Sequence, residues 1–211
     1  MKVLLINGSP HEKGCTYTAL KELEGALNRQ CIETELFWIG NKPIGGCIAC
    51  KACKKLKKCV FDDSVNYLRE KAYHADGFVF GSPVHFGAPS GNLTALMDRL
   101  FYSELHGNEN AAFYLKPAAA VVSTRRSGAT AAVEQLLHYF LIRQMLVISA
   151  RYWPIVHGTT PEEVLQDEEG MHCMRNIANN MAFYLRCKEM GLKYGIEIPP
   201  IEQVKRTNFI H

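Results

Sequence analysis

The sequence predicts an α/β fold in three layers, with helices on both faces of a doubly wound, five-stranded parallel sheet. Strand-like and helix-like segments alternate along all 211 residues. The first strand-like segment, residues 3–7, is a continuous apolar run that stops at a Gly-Ser-Pro turn, as is typical of a strand buried on both faces. Strands that alternate with helices form parallel sheets with right-handed crossovers, and this order leads to the predicted fold class.

The first half of the chain contributes two helices and a second strand. Residues 16–29 predict a helix with Leu20, Leu23 and Leu27 on one face. Residues 33–39 alternate between apolar and polar side chains, so we expect a more exposed strand there. Residues 63–75 predict a second helix, whose acidic amino end suits the helix dipole.

The second half continues the alternation. Strands are predicted at residues 77–82, 118–123 and 147–153. Helices are predicted at residues 90–105, 131–144 and 168–193, each with large apolar residues at helical spacing. Because no linker, repeat or shift in composition divides the chain, residues 1–211 are expected to form a single domain, with a C-terminal helix and tail from about residue 161.

Composition excludes several functional classes. The formal net charge of +3 is too small and too scattered to indicate nucleic-acid binding. No run approaches the ~20 apolar residues of a membrane span, and the start is not that of a signal peptide. We therefore expect a cytoplasmic protein without nucleic-acid or membrane partners. In that compartment eight cysteines favour metal, catalytic or core roles over disulfides.

The loop after the first strand, residues 8–18, predicts an anion site. Small residues allow the backbone to wrap an anion, and the amino end of the following helix points free N–H groups at it. Further donors or positive charge come from Ser9, His11, Lys13, Thr16 and Thr18. Because the dinucleotide and P-loop glycine patterns are absent from the loop, a phosphomonoester such as that of FMN is favoured. The alternative is an ordinary capped helix start.

Two more loops are expected at the same sheet edge, where doubly wound folds bind ligands. Residues 81–91 contain two prolines and three glycines around His85 and Phe86, so a rigid backbone would hold a flat aromatic ring there. Residues 123–130 bring Arg125 and Arg126 to the same edge, where cations would stabilise negative charge on a reduced flavin. The alternatives are a structural loop and a solvated arginine pair.

These motifs resemble a known family. The start INGSP, with the Gly and Thr that follow it, and the run ADGFVFGSPVHFGAPSGNLTALMDRL resemble the NADPH-dependent FMN reductase and iron–sulfur flavoprotein group of flavodoxin-like proteins. The resemblance covers about the first 130 residues. It implies a flavodoxin-like fold with strand order 2-1-3-4-5, FMN in the three loops, and a homodimer or homotetramer. The chain departs from the family pattern at His11, Cys15 and His85, where the family usually has arginine, asparagine and tyrosine.

The resemblance also implies which residues contact FMN. Phosphate contacts would come from the first loop and the start of its helix: Ser9, His11, Thr16 and Thr18, with Cys15 and Tyr17 in the same stretch. Ring contacts would come from the second loop: Pro83, Val84, His85, Phe86 and Gly87. The pyrimidine side would face Thr124, Arg125 and Gly128. Apart from the resemblance, Arg126 is a further candidate contact in the same loop, and His85, Arg125 and Arg126 are candidates for tuning the reaction, with His85 and Arg125 taken as the catalytic pair.

Four cysteines fall within thirteen residues in a C-x2-C-x2-C-x5-C pattern: Cys47, Cys50, Cys53 and Cys59. Three thiols at this spacing wrap one face of a compact centre, and ferredoxins begin with the same triplet. The pattern resembles the compact cysteine motif of iron–sulfur flavoproteins, which holds a [4Fe–4S] cluster. Five intervening lysines would offset the negative charge of such a cluster. The alternatives are bare or oxidised thiols and zinc, which usually takes two separated ligand pairs.

Together these features predict an FMN-dependent oxidoreductase that takes electrons from NAD(P)H and reduces flavin, quinone or similar acceptors. With a [4Fe–4S] cluster present, electron exchange with a ferredoxin-like protein is also expected. The alternative is a non-enzymatic protein that responds to oxidant or metal through the segment 47–59.

Overall fold

In the computed structural model, residues 1–202, 205 and 207–209 are described, and within them the chain forms seven strands and seven helices. The strands are β1 (Lys2–Asn7), β2 (Glu33–Trp38), β3 (Gly77–His85), β4 (Ala88–Pro89), β5 (Pro117–Thr124), β6 (Leu146–Val147) and β7 (Ile155–His157). The helices are α1 (Cys15–Asn28), α2 (Cys53–Leu56), α3 (Ser64–Tyr73), α4 (Gly91–Asn108), α5 (Ala129–Ile142), α6 (Pro161–Gln166) and α7 (Glu168–Lys193).

The main sheet is parallel, with strand order β2-β1-β3-β5-β6. Its register pairs Leu5 with Leu36 on one side and with Val79 on the other, while Phe80 pairs with Ala120. The fourth predicted strand corresponds to β5, since β4 is a two-residue antiparallel partner of β3. The predicted order 2-1-3-4-5 and the α/β fold class are therefore confirmed.

The fifth strand differs from the prediction over residues 147–153. It forms as two short pieces, β6 and β7, which both pair with β5, and residues 148–154 leave the sheet edge between them. The Ile148 N–H still bonds the Ala118 carbonyl (2.8 Å), and the ladder resumes where the Val122 N–H bonds the Pro154 carbonyl (2.9 Å). Pro154 has no N–H to donate, which favours a break in the strand at this point.

Two apolar layers hold helices to the sheet. Leu4 and Ile6 of β1 face α3, α4 and α5, whereas Val3 and Leu5 face α1 and α7. All four side chains are buried, which explains why the first strand is apolar at successive positions. Burial of each such side chain contributes roughly 1.5–3 kcal/mol, so both layers stabilise the sheet that carries the functional loops.

Polar caps set several helix starts. The Asp63 carboxylate accepts from the Val65 N–H at the start of α3, and the Asp167 carboxylate accepts from the Gly170 N–H at the start of α7. Beyond α7, residues 195–202 are exposed and contain neither helix nor strand. The expectation for the tail at residues 203, 204, 206, 210 and 211 lies outside the described residues. No helix in the described part of the chain is both long and apolar enough to cross a bilayer.

Candidate functional site

Three loops meet at the carboxyl edge of the sheet: residues 8–14 (the first loop), the hairpin that joins β3 to β4, and residues 125–128 (the third loop). The Gly8 N–H donates to the Gly81 carbonyl at 2.8 Å, and the Ser90 hydroxyl donates to the Gly8 carbonyl at 2.6 Å. These bonds fix the first loop against the hairpin. The first loop is thereby held in place before any ligand binds.

Residues outside the predicted set shape the first loop. The fully buried Asn7 accepts from the Ser9 N–H (3.1 Å) and donates to the Glu12 carbonyl (2.9 Å). The Trp38 indole N–H donates to the Ser9 carbonyl (2.8 Å). Asn7 ends β1 and Trp38 ends β2 at this edge of the sheet. Their position at the end of a predicted strand was the feature of the sequence from which they could have been predicted as site residues. Ser9 itself is buried, and its hydroxyl accepts from the His11 N–H (3.1 Å).

Helix α1 begins at this loop without a side-chain cap. Its N-cap residue is Gly14, in an extended conformation, which has no side chain to accept from the N–H groups of the first turn. Uncapped N–H groups at a helix amino end form a ready site for an anion. The predicted residues Cys15, Tyr17 and Thr18 lie at this start of the helix.

Two predicted phosphate contacts are already engaged through their side chains. The buried Thr16 hydroxyl bonds the Ser123 hydroxyl at 2.8 Å, which ties α1 to the end of β5. The Thr18 hydroxyl donates to the Gly14 carbonyl at 3.2 Å. The Thr16 hydroxyl is therefore engaged within the protein.

The hairpin presents an aromatic side chain to solvent. Strand β3 runs on to His85 instead of ending at Ser82, and Phe86 and Gly87 form the two-residue turn with φ of 52° and 75°. Two positive φ values are the signature of the turn that best matches strand twist. A bulky aromatic residue rarely adopts this conformation, and the Phe86 side chain is fully exposed. The hairpin thus holds Phe86, next to the exposed His85, at the edge of the site.

The third loop carries the predicted cations. Arg125 and Arg126 are exposed, whereas Thr124 is buried and its hydroxyl donates to the Ser127 carbonyl at 3.2 Å. Gly128 follows with φ of 87° as the N-cap residue of α5. The arginine side chains are therefore free to turn toward a ligand, while the backbone beneath them is fixed.

A fourth segment borders the site and was missed from the sequence. The Gly158 N–H donates to the Thr124 carbonyl (3.0 Å), and the Gly158 carbonyl accepts from the Cys15 thiol (3.7 Å). Burial raises the pKa of the Cys15 thiol, so it behaves here as a neutral packing group. The turn after β7 thus joins the start of α1 to the end of β5, and no local pattern around Gly158 indicated this.

The four clustered cysteines line one cavity together with Phe61, Arg99 and Tyr102. Cys53 is buried, Cys59 is half-buried, and Cys47 and Cys50 are exposed. Burial, followed by the neighbouring Cys50, Cys47 and Cys59, raises the pKa of the Cys53 thiol. The structure therefore brings the predicted metal ligands to one place.

The backbone of this segment has an unusual shape. Ala49 and Lys51, on either side of Cys50, have φ of 52° and 58°, and Lys57 has φ of 59°. Left-handed residues that alternate with right-handed ones turn successive N–H groups into one concavity, a shape that recurs at iron–sulfur sites. Because non-glycine residues hold this conformation at a cost, it is retained where the surrounding structure or a ligand requires it.

Helices α3 and α4 anchor the end of the segment. The buried Asn66 amide accepts from the Cys59 N–H (3.0 Å) and donates to the carbonyls of Cys59 (2.9 Å) and Phe61 (2.8 Å). Asn108 donates to the Lys57 carbonyl at 2.9 Å. Neither asparagine was predicted from the sequence, since each contact joins elements that only the fold brings together.

Within the described ranges, no three or more Cys, His, Asp or Glu side chains are arranged to hold a single metal ion. A tetrahedral zinc site needs its ligands around one point. A [4Fe–4S] cluster spreads its four cysteine bonds over a larger inorganic core, so its sulfurs surround a volume. The four thiols line one cavity, and within the described ranges they are not arranged around a single ion.

The chain also matches known proteins over most of its length. The family model for NADPH-dependent FMN reductases matches residues 1–160. An iron–sulfur flavoprotein of Methanocaldococcus jannaschii is 33% identical over 191 residues, which covers 86% of this chain and 96% of that protein.

Two solved structures share the fold. RosB, with a bound derivative of riboflavin 5′-phosphate, has a TM-score of 0.70 at 16% identity and covers 100% of this chain and 94% of its own. The NAD(P)H:acceptor oxidoreductase FerB of Paracoccus denitrificans has a TM-score of 0.65 at 16% identity and covers 88% of this chain and 97% of its own. At this identity the likeness establishes the flavodoxin-like fold. With the family match and the flavoprotein relative, it follows that the chain belongs to the NADPH-dependent FMN reductase and iron–sulfur flavoprotein family and is an oxidoreductase.

Proposed function

We propose that residues 1–211 act as one domain that uses FMN to pass electrons from NAD(P)H to a flavin, quinone or similar acceptor, with a [4Fe–4S] cluster on Cys47, Cys50, Cys53 and Cys59. The observation that carries the flavin assignment is the uncapped start of α1 at the meeting point of three loops. A phosphate there would accept hydrogen bonds from the free N–H groups, and the positive end of the helix dipole would stabilise its charge.

The FMN contacts follow from this placement. Ser9, His11 and the first turn of α1 would hold the phosphate, with Thr16 acting through its backbone N–H because its hydroxyl bonds Ser123. The ring would lie against the hairpin residues 83–87, with its pyrimidine side toward Thr124, Arg126 and Gly128. FMN, when bound, supplies hydride and electron transfer. His85 and Arg125, both exposed beside the ring position, would orient it and stabilise negative charge there.

The cysteine segment fits a [4Fe–4S] cluster in its chemistry. Four thiols line one cavity, the left-handed residues Ala49 and Lys51 curve the backbone between them, and five exposed lysines offset negative charge. The same lysines would complement an acidic, ferredoxin-like electron carrier. The name of the M. jannaschii relative supports a cluster in that protein, and we extend it to this chain. Zinc and oxidised thiols are the competing occupants.

Self-association and location are further parts of the proposal. Tyr152 and Trp153 stack on each other at 5.2 Å on the protein surface, beside a cavity lined by Val133 and Leu137. Exposed apolar patches of this kind mark interfaces, so we assign this edge to a homodimer or homotetramer contact. Eight free thiols fit the reducing cytoplasm.

The function is tested by anaerobic NADH and NADPH oxidation with FMN-loaded protein and either free FMN or 1,4-benzoquinone. Sustained turnover with one of these acceptors is the expected result. If only one equivalent of NADH or NADPH per protein is oxidised and the reaction then stops, the assigned acceptors are wrong and a redox-responsive role is favoured. The quadruple Cys→Ser variant at positions 47, 50, 53 and 59 separates the two cofactors, since it is expected to keep FMN and lose iron.

A further inference from the structure

Arg99 of α4 lies buried beneath the cysteine segment, with a side chain only 1% exposed. Its guanidinium donates to the Gly45 carbonyl (3.3 Å), the Cys59 Sγ (3.3 Å), the Phe61 carbonyl (3.5 Å) and both carboxylate oxygens of Asp63 (2.7 and 2.8 Å). A buried charge is costly unless it is paired and hydrogen-bonded, and here every hydrogen bond goes to the cysteine segment or to residues just before or after it.

The nitrogens of the Arg99 guanidinium contact two different partners, a carboxylate and a thiol. The two terminal nitrogens form a bidentate pair with Asp63, which is 38% exposed and also caps α3. The same two nitrogens also donate to the carbonyls of Gly45 and Phe61, and the third nitrogen donates through Nε–H to the sulfur of Cys59. An arginine used only to join α4 to α3 would not need its third donor on a cysteine of the motif.

We propose that Arg99 is a positioning residue that raises the reduction potential of the cluster through its Nε–H bond to the Cys59 sulfur and its charge. This inference rests on the proposed [4Fe–4S] cluster. Reduction adds one electron to the cluster from reduced FMN, which NAD(P)H reduces in the proposed function, and no bond to the protein forms or breaks. The reduced cluster is more negative, so a buried cation beside a ligand sulfur favours it. Asp63 offsets that cation and therefore lowers the potential.

Variants of Arg99 and Asp63 distinguish a structural role of the ion pair from an electrostatic one by the direction in which each variant shifts the reduction potential. Arg99→Gln and Asp63→Asn both break the same bidentate pair, so a merely structural contact predicts similar effects. Electrostatic control predicts opposite shifts, because one variant removes the positive charge and the other the negative one. The asparagine side chain of Asp63→Asn remains a good N-cap for α3, and Arg99→Lys keeps the charge without the planar fork that reaches Cys59.

The measurement is an anaerobic redox titration of the full-length, FMN- and iron-loaded protein, followed by electron paramagnetic resonance. Arg99→Gln is expected to lower the reduced-to-oxidised ratio at fixed potential about tenfold, which is 59 mV for a one-electron couple. Asp63→Asn is expected to raise that ratio, and Arg99→Lys to fall between the wild type and Arg99→Gln. If Arg99→Gln loses its iron, the other two variants still test the proposal, because Asp63→Asn is expected to have a higher reduction potential than the wild type and Arg99→Lys a lower one.

Shifts of the same sign, or unchanged potentials with an intact cluster, would overturn the role of Arg99 alone. Wild-type protein without iron and sulfide would instead overturn the cluster and with it this inference, so the two failures are distinguishable by metal analysis.

Discussion

Gly128 and Gly87 approach each other so closely that a Cβ atom on Gly128 would lie 2.9 Å from the Gly87 Cα. It would also lie 3.3 Å from a methyl group of Val84. The third loop and the hairpin therefore pack backbone to backbone at the point where we place the flavin ring. Only glycine allows this distance together with the left-handed φ of 87° at position 128.

Gly128→Ala is expected to separate the hairpin from the third loop and weaken FMN binding at least tenfold. The left-handed conformation alone costs an alanine roughly 1–2 kcal/mol, and the contact with Gly87 adds to that cost. Fluorescence titration of apoprotein with FMN measures the effect on affinity, and urea unfolding measures the effect on stability.

Gly25→Ala serves as the matched control. Gly25 lies inside α1, where a Cβ would meet only the flexible end of Arg29 at 3.5 Å. This variant is expected to gain about 0.5–1 kcal/mol of stability and to bind FMN like the wild type. Equal FMN affinity in Gly128→Ala and Gly25→Ala would contradict the placement of the ring between the two loops.

Charge at the start of α1 tests the phosphate position. Gly14→Asp and Gly14→Asn place side chains of nearly equal size at the N-cap, and only the aspartate is charged. A phosphate close to a carboxylate is repelled by several kcal/mol at short range, so Gly14→Asp is expected to lose FMN while Gly14→Asn retains most of the affinity. Isothermal titration with FMN compares the two, and matching dissociation constants would show that the phosphate binds elsewhere.

Asn66→Ala is expected to reduce the iron retained by the protein. The substitution removes three hydrogen bonds that hold the backbone of Cys59 and Phe61, at a cost of about 1–3 kcal/mol in the local structure. Iron per chain after anaerobic purification and the rate of iron loss to a chelator measure the effect. Asn179→Ala, on the exposed side of α7, is the control. Iron retention in Asn66→Ala equal to that in the control would contradict the anchoring role.

Lys116 makes stability depend on pH in the alkaline range. Burial lowers its pKa from 10.5 to about 8, although its Nζ donates to the Ala72 carbonyl at 3.1 Å. Below pH 8 the folded protein carries the cost of this charge. Between about 8 and 10.5 the unfolded chain binds the extra proton, so the free energy of unfolding rises with pH, by up to about 1.4 kcal/mol per unit.

Lys116→Met removes this contribution. Urea titrations at intervals from about pH 7 to 10.5 measure the free energy of unfolding of both proteins. As pH rises, the free energy of unfolding of the wild type is expected to increase relative to that of the variant. A difference that stays flat across that window would show that Lys116 titrates normally in the folded protein.

Much of the fold could be predicted because local pattern and tertiary environment agree. Val3 to Ile6 are apolar at every position since both faces of β1 are covered, and the predicted bounds of the last helix, 168–193, match α7. The three functional loops could be located because parallel strands end at one edge. Their individual FMN contacts stay predictions.

The remaining features depend on contacts that no local pattern contains. The predicted fifth strand covers residues 147–153, yet residues 148–154 leave the sheet around Tyr152 and Trp153. Arg99 lies on the inward face of α4 between Leu96 and Leu100, where a charged residue is unexpected, and its reason is Asp63, 36 residues away in the sequence.

The most direct test is the cofactor content of anaerobically purified protein, determined as FMN, iron and acid-labile sulfide per chain together with the visible spectrum. We expect one FMN, four irons and four sulfides per chain. Gly14→Asp is expected to lose FMN and keep iron and sulfide, whereas the quadruple Cys→Ser variant is expected to lose iron and sulfide and keep FMN. Flavin without iron and sulfide would leave an FMN reductase with free thiols and remove the cluster. A chain that binds no FMN even after reconstitution would contradict the site at the carboxyl edge.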